Sequence, residues 1–272
     1  MTRVINIRLR GRAQVLAAAV PLGALAVTYA VAAGARHAAN PADKVLPTFG
    51  AMGDAVWRMA AMADPMTGQY TLWADTLASL ERLGAGLGLA TVTALVLGLA
   101  LGVVPLVRAV LGPVVTLIAV IPPIAVLPIL FIALGLGEAA KIALIAVGIA
   151  PFMTRDMAAC VAGLPAEQFV KAQTLGANSW QVAIRVALPQ MMPRLIEALR
   201  FSMGPAWVFL IAAEAIASDV GLGYRIFLVR RYLAMDIILP YVAWISLLAI
   251  CADVGLRWVS RRAFGWAHGA GL

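Results

Sequence analysis

Side chains that could do chemistry are few in this sequence, and the most informative of them is Glu214, which lies inside the apolar run 195–217. An acid deep in a membrane helix costs on the order of 2.5–3.5 kcal/mol unless it faces a polar interior. Glu214 is therefore either a structural hydrogen-bond partner or part of a polar path through the protein. Ser202 and Trp207 in the same run are weaker candidates for that path. So are Pro122 and Pro123, in a run that also holds Pro113 and Pro128. Prolines at that density kink or break a helix, and broken backbone at membrane depth survives only where it is buried in protein or lines a cavity. A merely bent packing helix is the alternative. The sequence contains no H-E-x-x-H and no G-x-S-x-G, so no catalytic residue is assigned, and no G-x-x-x-x-G-K-[ST], so it has no phosphate-cradling loop of its own. His37 and His268 stand in polar or terminal stretches, and Cys160 and Cys251 sit in or beside apolar runs, where thiols act as small hydrophobes. No metal site and no disulfide framework is expected from them.

Composition explains why these groups are so sparse. The 272 residues are 63% hydrophobic and 12% charged, with a mean hydropathy of +0.93, whereas a water-soluble domain needs about a quarter of its residues charged. The chain is therefore all-α and polytopic, one membrane domain with about six crossings of ~20 residues each. The net charge of +8 does not imply nucleic acid, because the basic residues are spread between and beside apolar runs, as juxtamembrane anchors are.

Arg3, Arg8, Arg10 and Arg12 precede an uninterrupted apolar run over 13–35. That run exceeds the 7–15 residues of a signal peptide's apolar region, so a retained first helix is expected, although Ala30-Val31-Ala32 resembles a cleavage site. A polar stretch follows to about residue 70. The second helix is expected over 83–107, where Gly84, Gly88, Gly98 and Gly102 at spacings of four let helix backbones approach. The third, proline-rich run covers 110–134, the fourth 138–159, the fifth 195–217 and the sixth 237–259. Placing the Arg-rich ends in the cytoplasm puts both termini, Arg108 and the polar connection 163–194 on that side. Arg225, Arg230 and Arg231 are then exceptions on the outer side, and they are either paired or turned to a partner or ligand.

The connection 163–194, GLPAEQFVKAQTLGANSWQVAIRVALPQMMPR, spells out two short helices meeting at a corner. Pro165 suits a first helical position and Gly176 a left-handed C′ position. Asn178 with Gln181 has the spacing of a capping box, and Pro189 and Pro193 are expected to stop the second helix. Phe169, Ala172 and Leu175 fall on one face of the first, and Trp180, Ala183, Ile184 and Ala187 on one face of the second. A loop builds apolar helical faces beside a membrane either to pack on its own bundle or to receive something that docks.

At this corner the sequence resembles a known family. The spacing Ala172, Gly176, Val186, Leu188, Pro189 is similar to the EAA loop of binding-protein-dependent ABC importer permeases, with Val170 and Lys171 departing from its first two positions and Glu167 one turn earlier. The likeness extends over most of the chain from about residue 46. Leu46-Pro47 with Met52, Ser79-Leu80 with Arg82 and Gly86, the segment 121–141, and Glu214 followed by Gly221-Leu222-Gly223-Tyr224 all resemble the nitrate/sulfonate/taurine branch. The resemblance implies a type I, MetI-like permease fold in a bacterial inner membrane. It implies a homodimer, two cytoplasmic ATPase subunits that bind ATP and Mg, a periplasmic substrate-binding protein, and no cofactor in this chain. It assigns ATPase coupling to Ala172, Gly176, Ala177, Asn178, Ser179, Trp180, Leu188 and Pro189. The cargo it implies is a small polar solute of the nitrate, sulfonate or taurine type, and the stretch 221–236 further resembles permeases of urea- or guanidine-carboxylating systems.

The layout so read is an arm and first helix over 1–35, a periplasmic segment over 36–82, a core over 83–262 containing the corner, and a tail over 263–272. The rival class is an ion-coupled secondary carrier, which would work without an ATPase and usually shows an inverted repeat; no convincing repeat is present.

Overall fold

The computed structural model describes residues 11–40, 43–65 and 67–268, so Arg3, Arg8 and Arg10 lie outside the described residues. The chain forms α1 (Arg12–Ala39), α2 (Phe49–Ala61), α3 (Thr71–Val103), α4 (Pro105–Val120), α5 (Pro123–Leu134), α6 (Glu138–Ala162) and α7 (Ala166–Thr174). It continues through α8 (Ser179–Val182), a π turn (Ala183–Ala187), α9 (Leu188–Ala217), α10 (Leu222–Arg230), α11 (Met235–Ala263) and α12 (Gly265–His268). Five helical stretches, Ala19–Ala39, Thr71–Val103, Glu138–Ala162, Ser179–Ala217 and Met235–Ala263, are long and apolar enough to cross a membrane. The pair α4 and α5, bent by 99° at Ile121-Pro122, makes a sixth if it is counted as one span. The proline-rich run is thus a true break rather than a gentle bend.

The centre of the bundle is the pair α3 and α6, which run parallel, with α4 and α5 returning the chain between them. Gly86, Ala90, Ala94, Gly98 and Gly102 form a stripe of small residues at spacings of four along α3, with Ala90 and Ala94 fully buried. A Cβ on Gly86 would lie 2.6 Å from Ile145, one on Gly98 2.4 Å from Met157, and one on Gly102 2.4 Å from Val161. Between membrane helices there is little hydrophobic driving force, so this close backbone approach supplies the van der Waals contact that holds the pair. Gly84 and Gly88, expected in the same stripe, meet nothing within 4 Å. They line a shallow groove towards α9 and α11 instead, because 84 and 88 fall on a different face of the helix from 86, 98 and 102.

Two boundaries differ from the sequence reading. Helix α3 begins at Thr71 rather than 83, since Asp75 and Arg82, which look like loop charges, are buried and paired inside the bundle. Its 33 residues rise about 50 Å, more than the ~30 Å hydrocarbon layer, so these charges sit in its first turns towards one surface. Pro189 and Pro193 do not stop the second corner helix, which runs on into α9. The π turn just before Pro189 widens the helix by one residue, and Pro189 then occupies the first turn of α9, where a missing N–H is tolerated.

The polar stretch before α3 also contains a helix. Thr48 caps α2 by accepting a hydrogen bond from Ala51 N at 3.2 Å. Tyr29 of α1 reaches it, donating to Pro47 O at 2.7 Å and lying 5.4 Å from the Phe49 ring.

Candidate functional site

Three features could do work in this bundle: the corner at one end, a groove along its flank, and a buried ion network at the end away from the corner.

The corner takes its shape from local sequence. Gly176 has φ +86. Its N–H donates to Gln173 O at 2.9 Å and that of Ala177 to Ala172 O at 3.0 Å, which together make a Schellman end to α7. Asn178 and Gln181 then exchange side chain and backbone hydrogen bonds at 2.8 and 2.9 Å, a complete capping box opening α8. Pro165 stands one position earlier than expected, as the residue preceding the first turn of α7. The apolar faces divide in two. Ala183 and Ala187 are buried and Phe169 and Leu188 pack on the core, whereas Leu175 and Trp180 project into the open, 81% and 73% exposed. Gly176, Asn178, Ser179 and Pro189 are exposed, and Ala172 and Ala177 half-buried.

The groove, about 510 Å³, runs between α5, α6 and α9. Pro123, Phe152, Phe201, Ser202, Pro205 and Phe209 line it, and the ion pair Asp156–Arg194, at 2.8 Å, closes one end. Of the residues singled out for a polar path, the fold thus brings Ser202 and Pro123 together. Pro122 is exposed at the bend, Trp207 is buried in the core, and Glu214 is elsewhere.

Glu214 is fully buried at the far end of α9. Its carboxylate accepts from Ser79 Oγ at 2.8 Å, Arg82 Nη1 at 2.7 Å and the backbone N–H of Gly223 at 2.8 Å. Arg82 also donates to Glu138 at 2.9 Å and to Val220 O at 2.7 Å, and Lys141 shares Glu138 at 2.9 Å. Asp75, fully buried, receives Arg225 at 2.8 Å, Tyr241 Oη at 2.9 Å and the Gly221 N–H at 3.0 Å. Three cations meet three carboxylates, so the cluster balances its charge within the apolar bundle.

Helix α10 is the product of this cluster. Its first three N–H groups, from Gly221, Leu222 and Gly223, are accepted by Asp75, Ser79 and Glu214, and the two carboxylates complement the positive end of the helix dipole. The G-L-G spacing is dictated by proximity. Gly221 has φ +136, and a Cβ there would lie 2.5 Å from the Glu214 carboxylate, while one on Gly223 would lie 2.9 Å from Ile211 Cα. Arg225 therefore belongs to the paired class, and Arg230 stacks 5.0 Å over Phe227.

Sequence reading missed Asp75, Glu138, Lys141 and Tyr241. The available signal was the spacing 75, 79, 82, three polar residues at i, i+4 and i+7 on one face of an otherwise apolar helix.

Residues 90–265 match the family of binding-protein-dependent transport system inner membrane components. The chain belongs to that family. This inner membrane component is 39% identical to the taurine transport system permease protein TauC of Escherichia coli over 202 residues, 73% of this chain and 72% of that protein. It is 28% identical to the bicarbonate transport system permease protein CmpB of Synechococcus elongatus over 192 residues, 70% of this chain and 69% of that protein. A chain of the inward-facing MetNI methionine ABC transporter superposes with a TM-score of 0.60 at 21% identity, covering 74% of this chain and 97% of that one, which shows the MetI-like fold. The permease is thus a multi-pass ABC importer subunit of the inner membrane, not an enzyme, and works with a binding protein and a separate ATPase.

Proposed function

We propose that this permease moves a small sulfonate or similarly anionic solute into the cytoplasm by alternating access, as a dimer of itself driven by two ATPase subunits that bind ATP and Mg. The observation that carries the proposal is the corner. Leu175 and Trp180 stand out from the bundle on a turn fixed by a Schellman end and a capping box, in a chain that lacks a nucleotide loop. A rigid turn with exposed apolar tips fits a protein groove better than water. On this reading Gly176, Ala177, Asn178, Ser179 and Trp180 seat in the ATPase, Ala172 backs the turn, and Leu188 and Pro189 anchor its base to α9. Closure of the ATPases would push the corner, rock the helices, and open the groove holding Pro123 and Ser202 to alternate sides. Both termini would then lie in the cytoplasm, on the side of the corner, with α1 retained.

The test is a single cysteine at Ser179, with Cys160 and Cys251 replaced by Ser. It is expected to form a cross-link to the ATPase subunit that weakens or strengthens with bound nucleotide. Labelling of that cysteine by a membrane-impermeant reagent from outside the cell, with no cross-link, overturns the assignment.

The taurine permease, at 39% identity, supports the cargo class. The likeness of 221–236 to urea- and guanidine-type permeases supports a second reading. A thermal-shift screen of the partner binding protein against taurine, alkanesulfonates, bicarbonate, guanidine and urea separates the two. Stabilisation by a sulfonate is expected, and a response confined to guanidine or urea selects the second reading.

A further inference from the structure

We infer that the groove between α3, α4 and α6, at the end of the bundle that carries the corner, binds the headgroup phosphate of an anionic phospholipid through Arg155 and Arg108. The groove is about 610 Å³ and is lined by Leu101, Val115, Phe152 and Ala159 beside the two arginines. Arg155 lies seven residues before the last residue of α6, about 10 Å along the axis, and beside the last two turns of α3, where Gly98 meets Met157 and Gly102 meets Val161. We place the passage from acyl chains to headgroups near this level, because the ~30 Å hydrocarbon layer is shorter than the rise of α3.

An ionised side chain at such a depth is costly without a partner and marks a ligand or a polar pathway. Among the described residues Arg155 makes no hydrogen bond or ion pair, and it is exposed. The nearby acid does not serve it: both oxygens of Asp156 are taken by Arg194 on α9, at 2.8 and 2.9 Å. Arg108 uses its guanidinium on the terminal carbonyls of α3, donating to Leu101 O at 2.8 Å, which fixes its positive charge at the rim of the same groove. Two cations at headgroup depth above an apolar slot match a diacyl lipid, with phosphate at the rim and a chain against Val115 and Phe152. A freely diffusing sulfonate or phosphate shares the oxyanion but has no use for the apolar slot.

The test uses the delipidated, purified transporter assembly, titrated with short-chain phosphatidylglycerol or phosphatidylcholine and read by native mass spectrometry. Phosphatidylglycerol is expected to be retained preferentially, and Arg155→Gln to weaken its retention about fivefold, while Arg155→Lys keeps most of it. Val115→Trp, which fills the slot and leaves both arginines, should weaken it as well. Equal retention of both lipids, no change in Arg155→Gln, or displacement of the lipid by millimolar taurine or inorganic phosphate each overturns the assignment. Both Arg155→Gln and the wild type are to bind the partner ATPase equally, so failure here is separable from failure of the coupling reading.

Discussion

Gly221→Ala is expected to cost this permease its assembled, detergent-stable form. The new methyl would sit 2.5 Å from a carboxylate that cannot retreat, because Glu214 is held by Ser79, Arg82 and Gly223 and is fully buried. At φ +136 the backbone itself also resists any side chain. Relief would require breaking the Arg82–Glu214 pair, and uncompensating a buried charge costs roughly 3–5 kcal/mol. Glu214→Ala should reach the same outcome by another route, removing the acceptor shared by Ser79, Arg82 and the Gly223 N–H of α10. Glu214→Gln keeps the volume but turns an amide N–H towards donors, so a smaller loss is expected. The measurement is the melting temperature and the monodisperse yield in detergent, with Ser202→Ala as a control that changes neither. An unchanged melting temperature in Gly221→Ala would show that the network is not what anchors α10.

Gly176→Pro is expected to abolish uptake while leaving the membrane bundle intact. Proline fixes φ near −65° where the corner requires +86, and it removes the N–H that donates to Gln173 O. The Schellman end is lost and Leu175 and Trp180 no longer present a fixed surface. Nothing lies within 4 Å of a Cβ at Gly176, so Gly176→Ala meets only the left-handed backbone penalty of about 1–2 kcal/mol and should keep most of the transport. A drop of at least about tenfold in uptake for the proline variant, the equivalent of about 1.4 kcal/mol, with a clearly smaller loss for the alanine variant, is the expected contrast. The variants differ only in backbone geometry and one backbone N–H at a single exposed point. Full uptake by Gly176→Pro, with ATPase still bound, would remove the corner from the coupling route.

These two glycines also divide what each level of description could supply. Gly176 was legible in the sequence because its role is local. The Schellman end, the capping box of Asn178 and Gln181, and the apolar faces of the corner are all interactions between residues within a few positions of one another, so type and spacing announce them. The membrane class and the broken α4–α5 run were legible for a related reason: the bilayer fixes the length and polarity of any crossing, and prolines act on their own turn. Some local inferences still failed where tertiary context overrode them. Pro189 follows a π turn at the start of α9, Pro193 is carried inside that helix, and Gly84 and Gly88 fell off the face that α6 covers.

Gly221 and Glu214 belong to the other kind. The side-chain partners of Glu214 are 132 and 135 residues away in the chain, and the partners of Asp75 are 146 to 166 away. No spacing rule links them, and in isolation Asp75 and Arg82 look like loop charges that should end a helix rather than begin one. Only the packing of α3, α6, α9, α10 and α11 brings three cations to three carboxylates and makes buried charge bearable. Sequence alone determined the solvent this chain lives in, the shape of its exposed corner and the family it belongs to. The tertiary structure decided that its most suggestive acid is a fastening for α10, because a charge in an apolar medium is defined by what neutralises it, and that lies on other helices.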